Sequence, residues 1–134
     1  MPLLGVYRGE TAKPWDLIIE FYNGLARTDQ TFASFAHLIE QIATSFREAG
    51  LCALTSMSDL ILGPSGDVLA NPHLVISFDS LESKFILTYE DGSKKPWTRT
   101  ASIEEAFDVV HRFLTRRVRW YHDSTLSDIS PSAG

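Results

Sequence analysis

Between positions 32 and 49 the apolar residues Phe32, Phe35, Ala36, Leu38, Ile39, Ile42, Ala43, Phe46 and Ala49 recur three or four apart. At the helical step of about 100° per residue they share one arc. Ser34, His37, Glu40, Gln41, Thr44, Ser45, Arg47 and Glu48 fill the other, and only Ala33 strays. The pattern predicts a helix over residues 31–49 that packs on a single surface. Asp29 and Thr31 both suit its N-cap, and Gly50 suits the left-handed position that ends it. A second one-sided helix is expected over 103–121. It opens on Ser102-Ile103-Glu104-Glu105, a capping-box sequence. Its apolar arc holds Ile103, Ala106, Phe107, Val109, Val110, Phe113, Leu114, Val118, Trp120 and Tyr121. Arg117 falls inside that arc and is the one residue the helix does not explain.

An earlier helix is expected from Pro14 to about Leu25. Proline suits a first helical turn, Leu17, Ile18, Phe21, Tyr22 and Leu25 keep helical spacing, and Asn23-Gly24 would end the element. The same residues also read as a strand over 17–22 turning at Asn23-Gly24; the helix is preferred. Between the second and last helices the period changes to two. Leu60-Ile61-Leu62 precedes the turn cluster Gly63-Pro-Ser-Gly-Asp67. A short strand begins at Val68–Ala70 and is interrupted by Asn71-Pro72. Strands follow over 73–79 and 84–90, and after the Asp91-Gly92 turn signal a returning strand spans Lys94–Thr100. Pro96, Lys94 and Lys95 mark that strand as an edge. Alternation leaves a wetter sheet face carrying Val75, Ser77, Ile86, Thr88, Thr98 and Thr100. The whole predicts an α+β two-layer sandwich: an antiparallel sheet of about four strands with helices on one face, in the order α-α-β-β-β-β-α.

Composition sets the outer bounds. With 134 residues, 44% hydrophobic and 22% charged, the chain suits a single domain over 1–134. An ordered core is expected over about 14–122, and the polar stretch 123–134 as a disordered tail. The single cysteine, Cys52, leaves no intramolecular disulfide. No run of about 18 apolar residues suggests a membrane span, and the N-terminus lacks the charged and apolar regions of a signal peptide. The expectation is a cytoplasmic protein.

Charge adds an asymmetry. The net charge is −5, but residues 1–93 hold 5 Lys/Arg against 12 Asp/Glu, and residues 94–119 hold 7 Lys/Arg against 3. The run His111–His122 concentrates Arg112, Arg116, Arg117 and Arg119 beside Trp120 and Tyr121. Its functional reading is an anionic contact site; its structural reading is a solvated helix end complementing the dipole. Arg112, Arg116, Arg117 and Arg119, together with Lys95 and Trp97, are the candidate binding residues. Trp15, Trp97 and Trp120 read as interface anchors or as seals on the core.

Reactive chemistry finds little support. Cys52 lies in an apolar run with no local base or positive field to favour a thiolate, so it reads as a packing thiol. His37, His73, His111 and His122 lack metal-ligand spacing, and His111 would contact Asp108 on the helix surface. Glu90-Asp91 belongs to a turn and Glu104-Glu105 to a capped helix start. Gly63-Pro-Ser-Gly66 lacks the Gly-Lys-Ser/Thr ending of a phosphate loop. No catalytic residue, metal or cofactor is assigned.

In size, acidity and the sequence of helix, antiparallel strands and closing helix, residues 31–121 resemble the small immunity proteins of bacterial toxin systems, through layout and no specific motif. Frataxin-like proteins share such a layout. Here, however, the helix has only Glu40 and Glu48 where an acidic ridge would stand, so iron binding is not implied. The leading expectation is a non-catalytic protein-binding module of immunity, adaptor or chaperone type, whose partner is another protein with an acidic surface. One alternative is a small-molecule site or enzyme built from scattered residues, with a pocket holding His73, Tyr89 or Arg117. The other is nucleic-acid binding through the last helix, which an acidic pI of about 5.3 disfavours. Homo-oligomerisation is open under all three.

Overall fold

The structure, a computed structural model, describes residues 12–69 and 72–121; the expected tail over 123–134 lies outside them. Two helices come first. Helix α1 spans Trp15–Thr28 and α2 spans Ala33–Phe46, with a 3₁₀ turn before α2 at Gln30–Phe32 and another after it at Arg47–Ala49. Five strands follow: β1 Cys52–Ser56, β2 Asp59–Gly63, β3 His73–Asp79, β4 Lys84–Glu90 and β5 Trp97–Ser102. The last helix, α3, spans Ala106–Arg112 and continues as a π-helical turn over Phe113–Arg117. The sheet is an antiparallel meander in the order β1-β2-β3-β4-β5.

The fold class is as expected, and five elements differ in detail. The sheet has five strands rather than about four, the addition being β1. Val68 and Leu69 form a turn rather than a strand. Strand β5 begins at Trp97, not Lys94, because residues 91–96 are held as a turn: Asp91 accepts a hydrogen bond from the Ser93 N–H at 2.9 Å. Helix α1 runs past Asn23-Gly24 to Thr28, since Leu25 and Ala26 pack against the core and outweigh a glycine cost of about 1 kcal/mol. The last helix begins at Ala106, not Ile103, and ends its regular course at Arg117, not Tyr121.

Of the two possible caps, Asp29 is the one used, and it caps the 3₁₀ turn that leads into α2 rather than α2 itself. Its carboxylate accepts from the Thr31 N–H at 3.1 Å and the Thr31 hydroxyl at 2.7 Å. Gly50, at φ 96°, ends the helical stretch in the left-handed region. The reciprocal bonds of the predicted capping box form, Ser102 N–H donating to Glu105 Oε2 at 3.0 Å and Glu105 N–H to Ser102 Oγ at 3.2 Å, but they close a turn over residues 103–105, and the helix begins after it at Ala106.

All three helices lie on one sheet face. Ile18 and Tyr22 of α1, Phe35, Ile39, Ile42 and Phe46 of α2, and Val110 and Leu114 of the last helical stretch meet Leu60, Leu62, Leu74, Ile76, Phe85 and Leu87 of the strands in one core. Two buried polar groups fix its rim. Trp15 Nε1 donates to the Leu51 carbonyl at 2.9 Å, and the Tyr22 hydroxyl donates to the Ser58 carbonyl at 3.0 Å.

The opposite face is not uniform. Val75, Ser77, Ile86 and Thr88 are half-buried, and Thr98 and Thr100 are exposed, as alternation predicts. At the β1–β2 end, however, Leu54, Ile61 and Val68 form a small second core. The segment after β2 folds over that end, where Gly63 allows the approach: a β-carbon there would stand 3.1 Å from Val68 Cγ1. Ala12 and Lys13 run alongside, with Ala12 N–H donating to the Gly66 carbonyl at 2.9 Å and Lys13 N–H to the Ala53 carbonyl at 2.8 Å.

Candidate functional site

The feature that the helical pattern left unexplained, Arg117, leads to the site. An α-helix continued past Arg112 would carry Arg117 toward the core. Instead the Val118 N–H bonds the Phe113 carbonyl at 3.0 Å, five residues back. A π turn advances less than 100° per residue, so the residues after Phe113 lag and Arg117 emerges exposed. Buried Thr115 sits within the turn, its hydroxyl donating to the His111 carbonyl at 2.8 Å.

The emerging guanidinium lies 4.9 Å from the centroid of the Trp97 ring, a cation–π contact. Trp97 is itself stacked on Phe113, with centroids 4.8 Å apart and planes at 29°. Tyr89 meets the Phe113 ring edge-on at 5.3 Å. An aromatic wall thus joins the end of β4, the start of β5 and the π turn.

Two open hollows flank that wall. The first, of about 380 Å³, lies between β5 and α3 and is lined by Trp97, Arg99, Val109, Arg112, Phe113, Arg116 and Arg117. The second, of about 410 Å³, is lined by Tyr89, Asp91, Lys95, Trp97, Arg117 and Val118. Trp97 and Arg117 are common to both. Of the residues singled out from sequence, Arg112, Arg116, Arg117 and Trp97 meet in the first hollow, and Lys95 joins Trp97 and Arg117 in the second. Arg119 does not take part: it is exposed, at φ 53°, beyond the helix end.

Sequence reasoning passed over Arg99 and Asp91, whereas Tyr89, expected in a pocket with His73 or Arg117, does line the second hollow with Arg117, and His73 lines neither hollow. The signal for Arg99 was present. It stands two residues after Trp97 in the same strand, so the two side chains share a sheet face. The expected contact of His111 with Asp108 is replaced by one turn of helix geometry: Asp108 accepts from Arg112 at 2.6 Å, an exposed i,i+4 pair. His111 is half-buried, its ring 5.6 Å from Phe46 and 5.9 Å from Phe107.

The electrostatics of the hollows are those of fixed donors. Guanidinium groups stay protonated at any pH of interest and offer no acceptor. Arg99 and Arg117 have no ion pair among the described residues, so their charge is directed at solvent and at whatever enters. Burial, followed by the Asp91 charge, raises the Tyr89 pKa, with Arg117 opposing; Tyr89 is therefore a neutral hydroxyl at neutral pH. Hydrogen bonds from Ser93 hold the Asp91 carboxyl below the usual range, keeping it ionised.

Elsewhere, Cys52 is half-buried, its thiol 3.4 Å from the Gly50 carbonyl, and burial pushes its pKa up, the reverse of what an activated nucleophile needs. Among the described residues no three His, Cys, Asp or Glu side chains are grouped to hold a metal ion, and no helix is long and apolar enough to cross a membrane.

Fold and hollows together define an α+β domain with a basic, aromatic-walled groove beside the edge of its sheet. No protein-family model, curated protein or solved structure matches the chain.

Proposed function

We propose that the domain is a non-catalytic protein-binding module, of adaptor, chaperone or immunity type, that docks an acidic surface of another protein in the groove between β5 and α3. The observation that carries this reading is the gathering of Arg99, Arg112, Arg116 and Arg117 around one aromatic platform in a chain whose net charge is −5. Arginine over an aromatic face, able to fork onto carboxylates, is a recurrent composition at protein interfaces. The hollows are open and shared by several elements, which suits a macromolecular face better than an enclosed ligand.

The test compares the wild-type chain with the double variant Arg99→Glu, Arg117→Glu in affinity capture from native lysate, with the captured proteins identified. Both side chains are exposed and lack ion pairs among the described residues, and the Arg117–Trp97 contact that reversal removes contributes about 1 kcal/mol at an exposed site, so the thermal unfolding midpoint should fall by only a few degrees. Loss of a specific acidic protein from the variant supports the reading. An identical set of captured proteins overturns it.

One observation favours a second reading. The hollow holding Tyr89, Lys95 and Arg117 sets a neutral hydroxyl and two cations against one ionised carboxylate, Asp91, a net-positive set that would also hold a small anionic ligand. Stabilisation by a carboxylate or phosphate metabolite, removed by Lys95→Glu but indifferent to Arg99→Glu, would assign the site to that class.

A further inference from the structure

The groove lies along an open edge of the sheet, and the strand pairing shows which backbone groups that edge offers. Ser56 and Asp59 close the β1–β2 hairpin across the two-residue turn Met57-Ser58, which makes them a hydrogen-bonded pair. Hydrogen-bonded and non-bonded pairs then alternate along and across the meander. By this rule Leu60 and Leu62 of β2 bond Ile76 and Leu74, Val75 and Ser77 of β3 bond Thr88 and Ile86, and Leu87 and Tyr89 of β4 bond Arg99 and Trp97. The residues of β5 left facing outward are Thr98, Thr100 and Ser102.

Both ends of the sheet agree with this count. At the β1 edge the outward residues are Ala53 and Thr55, and the Ala53 carbonyl accepts the Lys13 N–H. At the β5 edge the Ser102 N–H is taken by Glu105. Between these, the outward N–H and C=O groups of Thr98 and Thr100 have no partner among the described residues. The usual blockers of an edge, Pro96 and the Lys94-Lys95 pair, precede the strand and do not lie in it.

We propose that the partner is an extended acidic segment of another protein that adds to β5 as a sixth, antiparallel strand, with alternate carboxylates entering the arginine-lined groove. This rests on the proposed binding function and names its mode. Strand addition supplies affinity through main-chain bonds and specificity through alternate side chains. Side chains opposite Arg99 would lie on the helix-bearing face, beside Arg112 and Arg116. A second copy of this chain is a poor occupant: antiparallel β5–β5 pairing would bring two arginine grooves together.

The geometry makes a sharp demand. In an antiparallel addition, peptide residues bonded to Thr98 and Thr100 point their side chains to the outer face. Residues facing Arg99 point theirs into the groove and their N–H groups away from β5. The probe is a fluorescent peptide of four Thr-Glu repeats, measured by anisotropy against the full chain at low salt. N-methylation of the threonine amides should weaken binding at least tenfold, while N-methylation of the glutamate amides should be tolerated within about threefold. Thr100→Pro, which removes one outward N–H, should weaken binding comparably with the far-ultraviolet circular dichroism unchanged.

Equal responses to the two methylated sets, with Arg99→Glu still abolishing binding, would overturn strand addition and leave the acidic docking function standing. Failure of the unmodified peptide to bind at all would overturn both. Self-association of the chain that the peptide displaces would assign the edge to a second copy and overturn the proposed partner.

Discussion

Tyr22 shows how one side chain ties helix to sheet. It is fully buried in α1, its ring 4.8 Å from Phe35, and its hydroxyl reaches the Ser58 carbonyl in the β1–β2 turn. Burial first, then the charge of Asp59, raises its pKa well above the ordinary tyrosine value. Folding therefore favours the neutral phenol. That contribution is fully present below about pH 10, where the unfolded chain also holds its proton, and is lost as pH climbs toward the folded pKa. Tyr121, pushed up to about 12 by burial and then by Cys52, acts in the same direction. Tyr22→Phe should cost about 1 kcal/mol at neutral pH through the lost hydrogen bond, and should make the fall in stability above pH 10 shallower than in the wild type. Urea midpoints measured from pH 7 to 11 check both parts; equally steep alkaline limbs would show that Tyr22 is not the titrating group.

At the scale of elements, α3 follows a turn closed by the reciprocal Ser102–Glu105 bonds of the capping box and ends on a π turn, and both ends serve the groove. The cap anchors the helix to the last residue of β5, holding α3 at a fixed height over the edge strand. Ser102→Ala should lower stability by about 1 kcal/mol, and a Ser102→Ala, Glu105→Ala double-mutant cycle in urea should show coupling between the two side chains. Strict additivity would mean that the two bonds act separately. The cap was legible in the sequence because its chemistry is local. So were the buried faces of α2, β3 and β4, where one period runs unbroken. Strand β1 was not. Ala53 faces the main core and Leu54 the small one beneath Val68, so an apolar run replaces alternation. The π turn was not legible either, since it is a tertiary override of a helical pattern. Yet Arg117, the residue that broke the pattern, stands where the override occurs, in the arginine-rich helix end that the sequence offered as a contact site. Arg119 broke no pattern and was named only for its charge; it lies outside the site.

For the molecule as a whole, the charge imbalance along the chain becomes an imbalance in space. Arg99, Arg112, Arg116 and Arg117 converge on one groove, while the net charge is −5. A polyanion as long as a nucleic acid would meet this groove and also the acidic remainder, whereas a short acidic segment would meet the groove alone. Salt separates the two roles that charge plays here. Ion pairs such as Arg47–Asp16, Lys84–Glu82 and Arg112–Asp108 are exposed and contribute at most modestly to stability. Raising the ionic strength from about 0.05 M to 0.5 M shortens the Debye length severalfold. It should leave the thermal unfolding midpoint within a few degrees while weakening capture of the acidic peptide by about tenfold or more, chiefly by slowing association. Stopped-flow anisotropy beside thermal scans at the same salt concentrations reads both quantities. A midpoint that falls in step with affinity would place the arginines in the stability of the fold, and the groove would then need no partner to account for it.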